Sequence, residues 1–177
     1  MSALLYTEPL LGAGAELSAC KLHRYLLWRT WSPNKPPATF VMLNPSTAQA
    51  STDDHTVRKC IGFAQRWGFG GIRVVNLYSL RSTDWHMLIA RPDRTGPANG
   101  QWLESAFELA AAQGQAVVVA WGAHRVPEKA ARVAEVRSIA RRHGVELLAL
   151  GTTFDGDPCH PLMLSYSTPL EPWSRAA

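Results

Sequence analysis

A regular alternation of apolar runs and helix-like segments constrains the fold of this chain more than any other feature. Apolar runs typical of buried strands cover residues 39–43, 72–78, 116–121 and 145–150. Between these runs, apolar residues recur at helical spacing over 53–67, 98–112 and 127–143. We therefore expect an α/β fold in which a mostly parallel central sheet lies between two helical layers, a three-layer α/β/α arrangement.

The N-terminal region predicts an antiparallel addition to this sheet. Residues 21–31 are rich in aromatic side chains and partly alternate, which is typical of a strand. The proline-rich segment 32–37 is typical of a turn. The strands at 21–31 and 39–43 are therefore expected to pair as an N-terminal hairpin at one edge of the sheet. Asp53 or Asp54 can cap the helix that follows.

Length and composition are those of one globular domain. The chain has 177 residues, of which 46% are hydrophobic and 18% charged. Its net charge of +4 permits a nucleic-acid partner without requiring one. Three cysteines without a CxxC pair argue against a zinc site or a disulfide framework, and no metal or cofactor is expected. The chain lacks a leader-like N-terminus and any run of about 18 apolar residues, which predicts a cytoplasmic protein without membrane contact.

Polar motifs follow the predicted strands. They are Asn44-Pro45-Ser46-Thr47, Asn76, Trp121-Gly122 and, after the last strand, His160-Pro161-Leu162. In an open α/β sheet the carboxyl ends of the strands share one edge, where ligands bind. Asn44, Asn76 and His160 are therefore predicted to meet in one cleft. Amide donors and acceptors beside an imidazole are typical of a site that reads a nucleobase rather than one that binds a metal.

Each motif also has a structural interpretation. Asn44-Pro45 is compatible with a simple turn, and a buried Asn76 either ties loops together or faces a ligand. His160 is compatible with a loop residue and Trp121-Gly122 with packing. Asp54 is more often a helix cap than a catalytic acid.

Other residues are candidates for phosphate or nucleic-acid contacts. Ser46, Thr47 and Ser51 precede a helix N-terminus, which favours phosphate. Arg58 lies in that same helix, and Arg81 and Thr83 lie in a long polar loop over 79–97. A loop of this length in a compact domain is often functional.

As a whole, the chain resembles a bacterial and phage family known as a domain of unknown function, number 1643. The resemblance covers residues 40–173 and rests on short motifs. Here they read Leu43-Asn44-Pro45-Ser46-Thr47, Asp54-His55-Thr56-Val57-Arg58-Lys59-Cys60, Val75-Asn76-Leu77, Trp121-Gly122 and His160-Pro161-Leu162. Membership of that family by itself implies no activity.

The same motifs, in the same order, distantly resemble those of the uracil-DNA glycosylase superfamily. This resemblance implies a single uracil-DNA-glycosylase-like domain over 1–177. It also implies that Asn44 positions the attacking water, that Asn76 reads the base and that His160 supports the leaving base. The residues that follow His160, including Leu162, would wedge into DNA.

Three departures from the superfamily pattern bear on activity. Ser46 stands where uracil-specific enzymes carry an aromatic residue, and Leu162 replaces a serine that binds phosphate. Asn44 is not an acid and cannot strongly activate water as a base. The expected function is hydrolysis of the N-glycosidic bond of a uracil-like or modified base, with DNA as partner. The alternatives are a non-catalytic nucleic-acid-binding module and an enzyme acting on free nucleosides or nucleotides.

Overall fold

One mixed sheet of seven strands forms the centre of the molecule. The computed structural model describes residues 11–47 and 53–174. The strands are β1 (Gly12–Leu17), β2 (Arg24–Thr30), β3 (Pro37–Met42), β4 (Gly71–Asn76), β5 (Val117–Val119), β6 (Leu147–Ala149) and β7 (Glu171–Pro172). Their order in the sheet is β1-β2-β4-β3-β5-β6-β7. Strands β4, β3, β5 and β6 are parallel, and antiparallel strands complete both edges.

Helices cover both faces of this sheet. They are α1 (His55–Arg66), the short α2 (Met87–Ala90), α3 (Asn99–Ala112) and α4 (Lys129–His143). Alternate residues of a strand point to opposite faces. Phe40 of β3 accordingly lies in one apolar cluster with Cys60 of α1, and its neighbour Val41 lies in another with Phe107 of α3 and Val136 of α4. The predicted sandwich of a mostly parallel sheet between helices is confirmed at this level.

Local sequence signals explain where the helices begin and end. The Asp54 carboxylate accepts a hydrogen bond of 2.8 Å from the Val57 amide, so it caps α1. Gly144 adopts a left-handed conformation at φ 65° and ends α4. The helices predicted over 53–67, 98–112 and 127–143 are therefore confirmed, each within a few residues of its predicted bounds.

The predicted pairing of the N-terminal hairpin is wrong. Strand β2 pairs with β1 and with β4, both antiparallel, and β3 lies beyond β4 as a parallel neighbour. The reason is the segment before β4. The Gly70 carbonyl accepts hydrogen bonds from the Trp31 and Ser32 amides, and the Gly70 amide donates to the Pro36 carbonyl. Strand β4 is thereby inserted between β2 and β3, and the antiparallel hairpin is formed by β1 and β2.

Strand β3 occupies the point at which the strand order reverses. From β3 the chain crosses over α1 to β4 on one side, and β5, on the other side of β3, follows after α3. Open α/β sheets bind ligands outside the carboxyl ends of the strands at such a switch point. A binding site is therefore expected at the carboxyl ends of β3, β4 and β5.

In the part of the chain that the structure describes, none of the helices combines the length and the apolar character needed to cross a membrane.

Candidate functional site

A pocket of about 250 Å³ lies at the carboxyl ends of β3, β4 and β5. It contains both predicted asparagines and the predicted histidine. The predicted site residues that line it are Asn44, Pro45, Ser46, Asn76, Thr83, Trp121 and His160. Residues far apart in the sequence thus meet at the edge where the motifs predicted a site, although their chemical roles remain a prediction.

Asn76 is the most informative of these residues. It is the last residue of β4 and is only 3% exposed. Its backbone carbonyl accepts a hydrogen bond from Asn99 Nδ2. Among residues 11–47 and 53–174, its own side-chain amide has no hydrogen-bond partner. Buried amides are normally bonded, so an amide that lines a pocket without a partner is available to a ligand.

Asn44 is held in one orientation by its neighbours. Its Nδ2 donates to the carbonyls of Ser82 at 2.9 Å, Pro45 at 3.2 Å and Leu80 at 3.4 Å. The Ser82 amide in turn donates to the Pro45 carbonyl. These bonds attach the start of the loop over 79–97 to the end of β3. Because the amide nitrogen is used in this way, the group that Asn44 can offer in the pocket is its acceptor Oδ1.

Ser46 adds a second polar group with no partner. Its Oγ is buried and makes no hydrogen bond to any residue with described coordinates. A buried hydroxyl of this kind leaves a donor and an acceptor unused in the pocket that Asn76 also lines.

His160 enters the pocket in a defined tautomer. Its Nδ1 accepts a hydrogen bond of 3.3 Å from the Leu162 amide, so the proton of the neutral ring is on Nε2. Burial lowers the pKa of His160 below its usual value of 6.5, and the nearby His124 lowers it further, while the Asp54 carboxylate opposes both. The neutral imidazole therefore presents an Nε2–H donor at neutral pH.

Trp121 and Gly122 position this histidine. Gly122 has φ 73°, and a Cβ placed on it would lie 3.4 Å from the Cβ of His160. Its amide donates to the Pro158 carbonyl at 3.0 Å, which holds the loop carrying His160 against the end of β5. The Trp121 indole is fully buried and packs edge-on against Trp173. The pair thus supports the pocket mainly through packing and backbone geometry.

Five predicted contact residues do not line the pocket; they are Thr47, Arg58, Arg81, Gly122 and Leu162. The Arg81 guanidinium donates to the carbonyls of Lys21 at 2.9 Å and Thr47 at 3.0 Å, which is a structural role. Arg58 is exposed on α1 and bonds to the Asp53 carbonyl. Their proposed phosphate contacts stay predictions, and Ser51 lies outside the described residues.

Arg24 and Asp54 place opposite charges in the pocket wall. Arg24 was not among the sequence candidates; it begins β2 and is 5% exposed. Burial lowers the pKa of Arg24 to about 10 although the Asp54 carboxylate attracts its charge, so the guanidinium stays ionised at neutral pH. Asp54 was predicted as a cap, and it lines the pocket as well. The sequence signal for Arg24 is a charge that directly precedes the apolar run 25–28.

Aromatic side chains form one side of the pocket. Trp85, in the loop over 79–97, stacks on His124, which follows β5, with ring centroids 4.7 Å apart. Trp85 also stacks on His86, with ring centroids 4.0 Å apart. Trp85 and His124 both line the pocket, so this stack joins the two loops that flank it. Sequence reasoning had singled out the loop but not this tryptophan.

Within the described ranges, no group of three or more His, Cys, Asp and Glu side chains is arranged so that it could hold a metal ion.

The chain belongs to a family whose model, described as "Protein of unknown function (DUF1643)", matches residues 24–162. The matched region includes every residue that lines the pocket. This confirms the family indicated by the motifs. No curated protein and no solved structure matches the chain. The resemblance to the uracil-DNA glycosylase superfamily therefore stays a hypothesis.

Proposed function

We propose that this protein recognises a nucleobase in nucleic acid and hydrolyses its N-glycosidic bond, as a uracil-DNA-glycosylase-like enzyme. The observation that carries the proposal is the Asn76 side-chain amide, which is buried in the pocket without a partner in the described chain. A planar amide with a donor and an acceptor matches a base edge, which pairs a carbonyl with an N–H.

The surroundings of Asn76 suit a planar, polar ligand. The Trp85 and His124 rings give the pocket an aromatic wall against which a planar base can pack. The partnerless hydroxyl of Ser46 adds a further donor and acceptor beside the amide. A base would have to leave its duplex or come from a single strand to enter this pocket.

The pocket also supplies groups that suit hydrolysis. As the glycosidic bond breaks, positive charge develops on the sugar and negative charge on the departing base. The Nε2–H of neutral His160 can donate to the base carbonyl and stabilise that negative charge. Asn44 Oδ1 can accept a hydrogen bond from water and orient it, because Nδ2 is held by three carbonyls.

The topology is consistent with the superfamily resemblance. The four motifs occur in the superfamily order, and Asn44, Asn76, Trp121 and His160 line one pocket at the switch point of a mainly parallel sheet. A fold does not determine a function, so the proposal rests on the side chains of the pocket.

Cleavage assays on oligonucleotides test the proposal. Single-stranded and duplex substrates carrying uracil or modified bases would be incubated with the wild-type protein and with Asn76→Ala as the matched control. We expect release of at least one base by the wild type and a large loss in the variant. If no base is released but oligonucleotides bind through the pocket, the protein is a binding module. Release from free nucleosides alone would identify a small-molecule hydrolase.

Salt dependence tests the nucleic-acid partner separately. The net charge of +4 and the buried, ionised Arg24 favour a polyanion. Neutralised phosphates release counterions, so affinity for a fluorescent oligonucleotide should fall steeply as salt is raised. Oligonucleotide affinity that is absent at low salt, together with measurable nucleoside binding, would contradict a nucleic-acid partner.

A further inference from the structure

We infer that Asp54 is a catalytic residue of this pocket, whose carboxylate takes the proton of the water that attacks the sugar. The inference rests on the proposed function and deepens it. It supplies the acid–base group that Asn44 cannot provide, because an amide is not a base.

The position of Asp54 supports this role. It lines the same pocket as Asn44, Asn76 and His160. Its Oδ1 accepts a hydrogen bond of 2.8 Å from the Val57 amide, which fixes the carboxylate at the N-terminus of the twelve-residue helix α1. In the described parts of the chain, Oδ2 accepts no hydrogen bond from a protein group. One oxygen therefore anchors the side chain and the other remains available for water.

Independent features show that the pocket is built for a ligand and not only for a helix cap. The Asn76 amide is nine-tenths buried, lines the pocket and lacks a partner in the described chain, and the Ser46 hydroxyl lacks one as well. Asp54 acts electrostatically on both sides of the pocket, since its charge raises the pKa values of Arg24 and of His160 against the effect of burial. A carboxylate, a neutral donor and a buried amide thus share one small cavity.

In the proposed reaction, Asn44 and Asp54 act on the attacking water and His160 acts on the departing base. The water oxygen, oriented by Asn44 and Asp54, forms a bond to the anomeric carbon of the sugar, and the bond from that carbon to the base nitrogen breaks. The electron pair of the broken bond goes to the base, where the His160 Nε2–H stabilises it. The proton of the water passes to Asp54 and is then released to the departing base or to solvent. The ionised carboxylate also stabilises the positive charge that develops on the sugar.

Substitutions of Asp54 can separate catalysis from capping. Asn and Ser are helix caps as good as Asp, so Asp54→Asn and Asp54→Ser should keep the cap of α1, and urea unfolding checks that each variant is folded. Both should lower the single-turnover cleavage rate by roughly 10²–10⁴-fold, the usual contribution of a positioned acid or base. The affinity for the same oligonucleotide should change much less than the rate, which a purely structural cap would not cause.

Asp53→Asn is the matched control. Asp53 is adjacent, carries the same charge and forms an ion pair with Arg29 at 2.7 Å, but it does not line the pocket. Its substitution should leave the cleavage rate within a few-fold of wild type. Equal rates in wild type and in stably folded Asp54→Asn would overturn the role of Asp54 alone. A wild-type protein that cleaves no base from any substrate would overturn the proposed function together with this inference.

Discussion

Two groups of polar residues lie close together in this molecule, and they differ in whether their donors are used within the described chain. The first, here called the anchor cluster, consists of the buried side chains of His23, Ser79 and Asn99 together with the Thr95 carbonyl. His23 Nδ1 lies 3.1 Å from Ser79 Oγ, which donates to the Thr95 carbonyl. Asn99 Nδ2 donates to two carbonyls, those of Asn76 and Leu77. The second is the pocket, where the Asn76 amide and the Ser46 hydroxyl have no partner in the described chain.

This difference shows that burial of a polar residue does not by itself mark a functional site. Asn76 and Asn99 are 3% and 1% exposed. Asn76 is the last residue of β4, and Asn99, the first residue of α3, donates to its carbonyl. Asn99 uses its donor to hold the turn that follows β4, whereas Asn76 presents its amide to the pocket. The buried Asn99 Oδ1 has no partner in the described chain, so it is the use of the amide donor, rather than burial, that separates the structural role of Asn99 from the expected binding role of Asn76. Substitutions in the two groups should accordingly affect different measurements.

Apart from the Asp54 substitutions, the largest expected effect is that of His160→Ala. Its Nε2–H donor acts mainly on charge that develops as the base departs, so the rate should fall more than the affinity. Loss of one such donor lowers the rate by about 10²–10³-fold. Single-turnover cleavage and equilibrium binding of the same oligonucleotide measure the two effects. A weaker affinity with an unchanged rate would show that His160 only binds substrate.

Asn76→Ala comes next and should weaken base recognition. A bidentate amide contact discriminates between bases by about 1–3 kcal/mol, so affinity for the preferred base should fall roughly 10- to 100-fold. Asn99→Ala is the matched control in the anchor cluster. It removes the Asn99 donor from the Asn76 and Leu77 carbonyls, of which Leu77 keeps its bond to Arg132 Nε, and should reduce the free energy of unfolding by about 1–3 kcal/mol. Urea unfolding and nucleobase binding distinguish the effects of Asn76→Ala and Asn99→Ala. An equal loss of binding in both variants would contradict the separate roles of the pocket and the anchor cluster.

The sequence predicted the pocket better than it predicted the sheet. Helices could be placed because their periodicity and caps are local, as with Asp54 before α1. Strand pairing is not local. Pro36 and Gly70 are far apart in the sequence, and their hydrogen bond helps place β4 between β2 and β3. No turn signal in 32–37 could reveal that the intervening strand comes from later in the chain.

For the site, motifs at strand ends could be predicted to meet, but residues on other elements could not. Asn44, Asn76 and His160 follow apolar runs, and parallel strands bring such positions to one edge. Arg24 reaches the pocket from an antiparallel strand, and Trp85 reaches it from a loop whose path depends on the hydrogen bonds of Asn44. Arg81 shows the converse error: the sequence predicted a phosphate contact for it. In the structure its guanidinium donates instead to the backbone carbonyls of Lys21 and Thr47.

His23→Ala tests the anchor cluster directly. His23 is buried, and its ring supports the Ser79 hydroxyl beneath the loop over 79–97. Ser79 keeps its bond to the Thr95 carbonyl, so the free energy of unfolding should fall by only about 1–2 kcal/mol. The single-turnover rate of the folded variant should stay close to that of wild type. A rate loss as large as that of His160→Ala would show that the anchor cluster belongs to the site.

The smallest expected effect is the dependence of stability on pH near neutrality. Burial lowers the pKa values of both His23 and His160 below 6.5 in the folded protein. The unfolded chain takes up protons at about pH 6.5, while the folded protein does not, so their contribution is complete above that pH and is lost as the pH falls through it. Urea unfolding should therefore give a lower free energy at about pH 5.5 than at about pH 7.5.

Two glutamine substitutions measure how much of this pH dependence of stability comes from each histidine. His23→Gln and His160→Gln should each reduce the difference in unfolding free energy between the two pH values, because each removes one histidine that is kept neutral by burial. His124, whose pKa is also lowered by burial, is kept in both variants, so comparison of the two variants separates the contributions of His23 and His160. If His160→Gln leaves the pH dependence unchanged while His23→Gln reduces it, His160 is protonated as readily in the folded protein as in the unfolded chain. That result would remove the neutral donor on which the role of His160 depends.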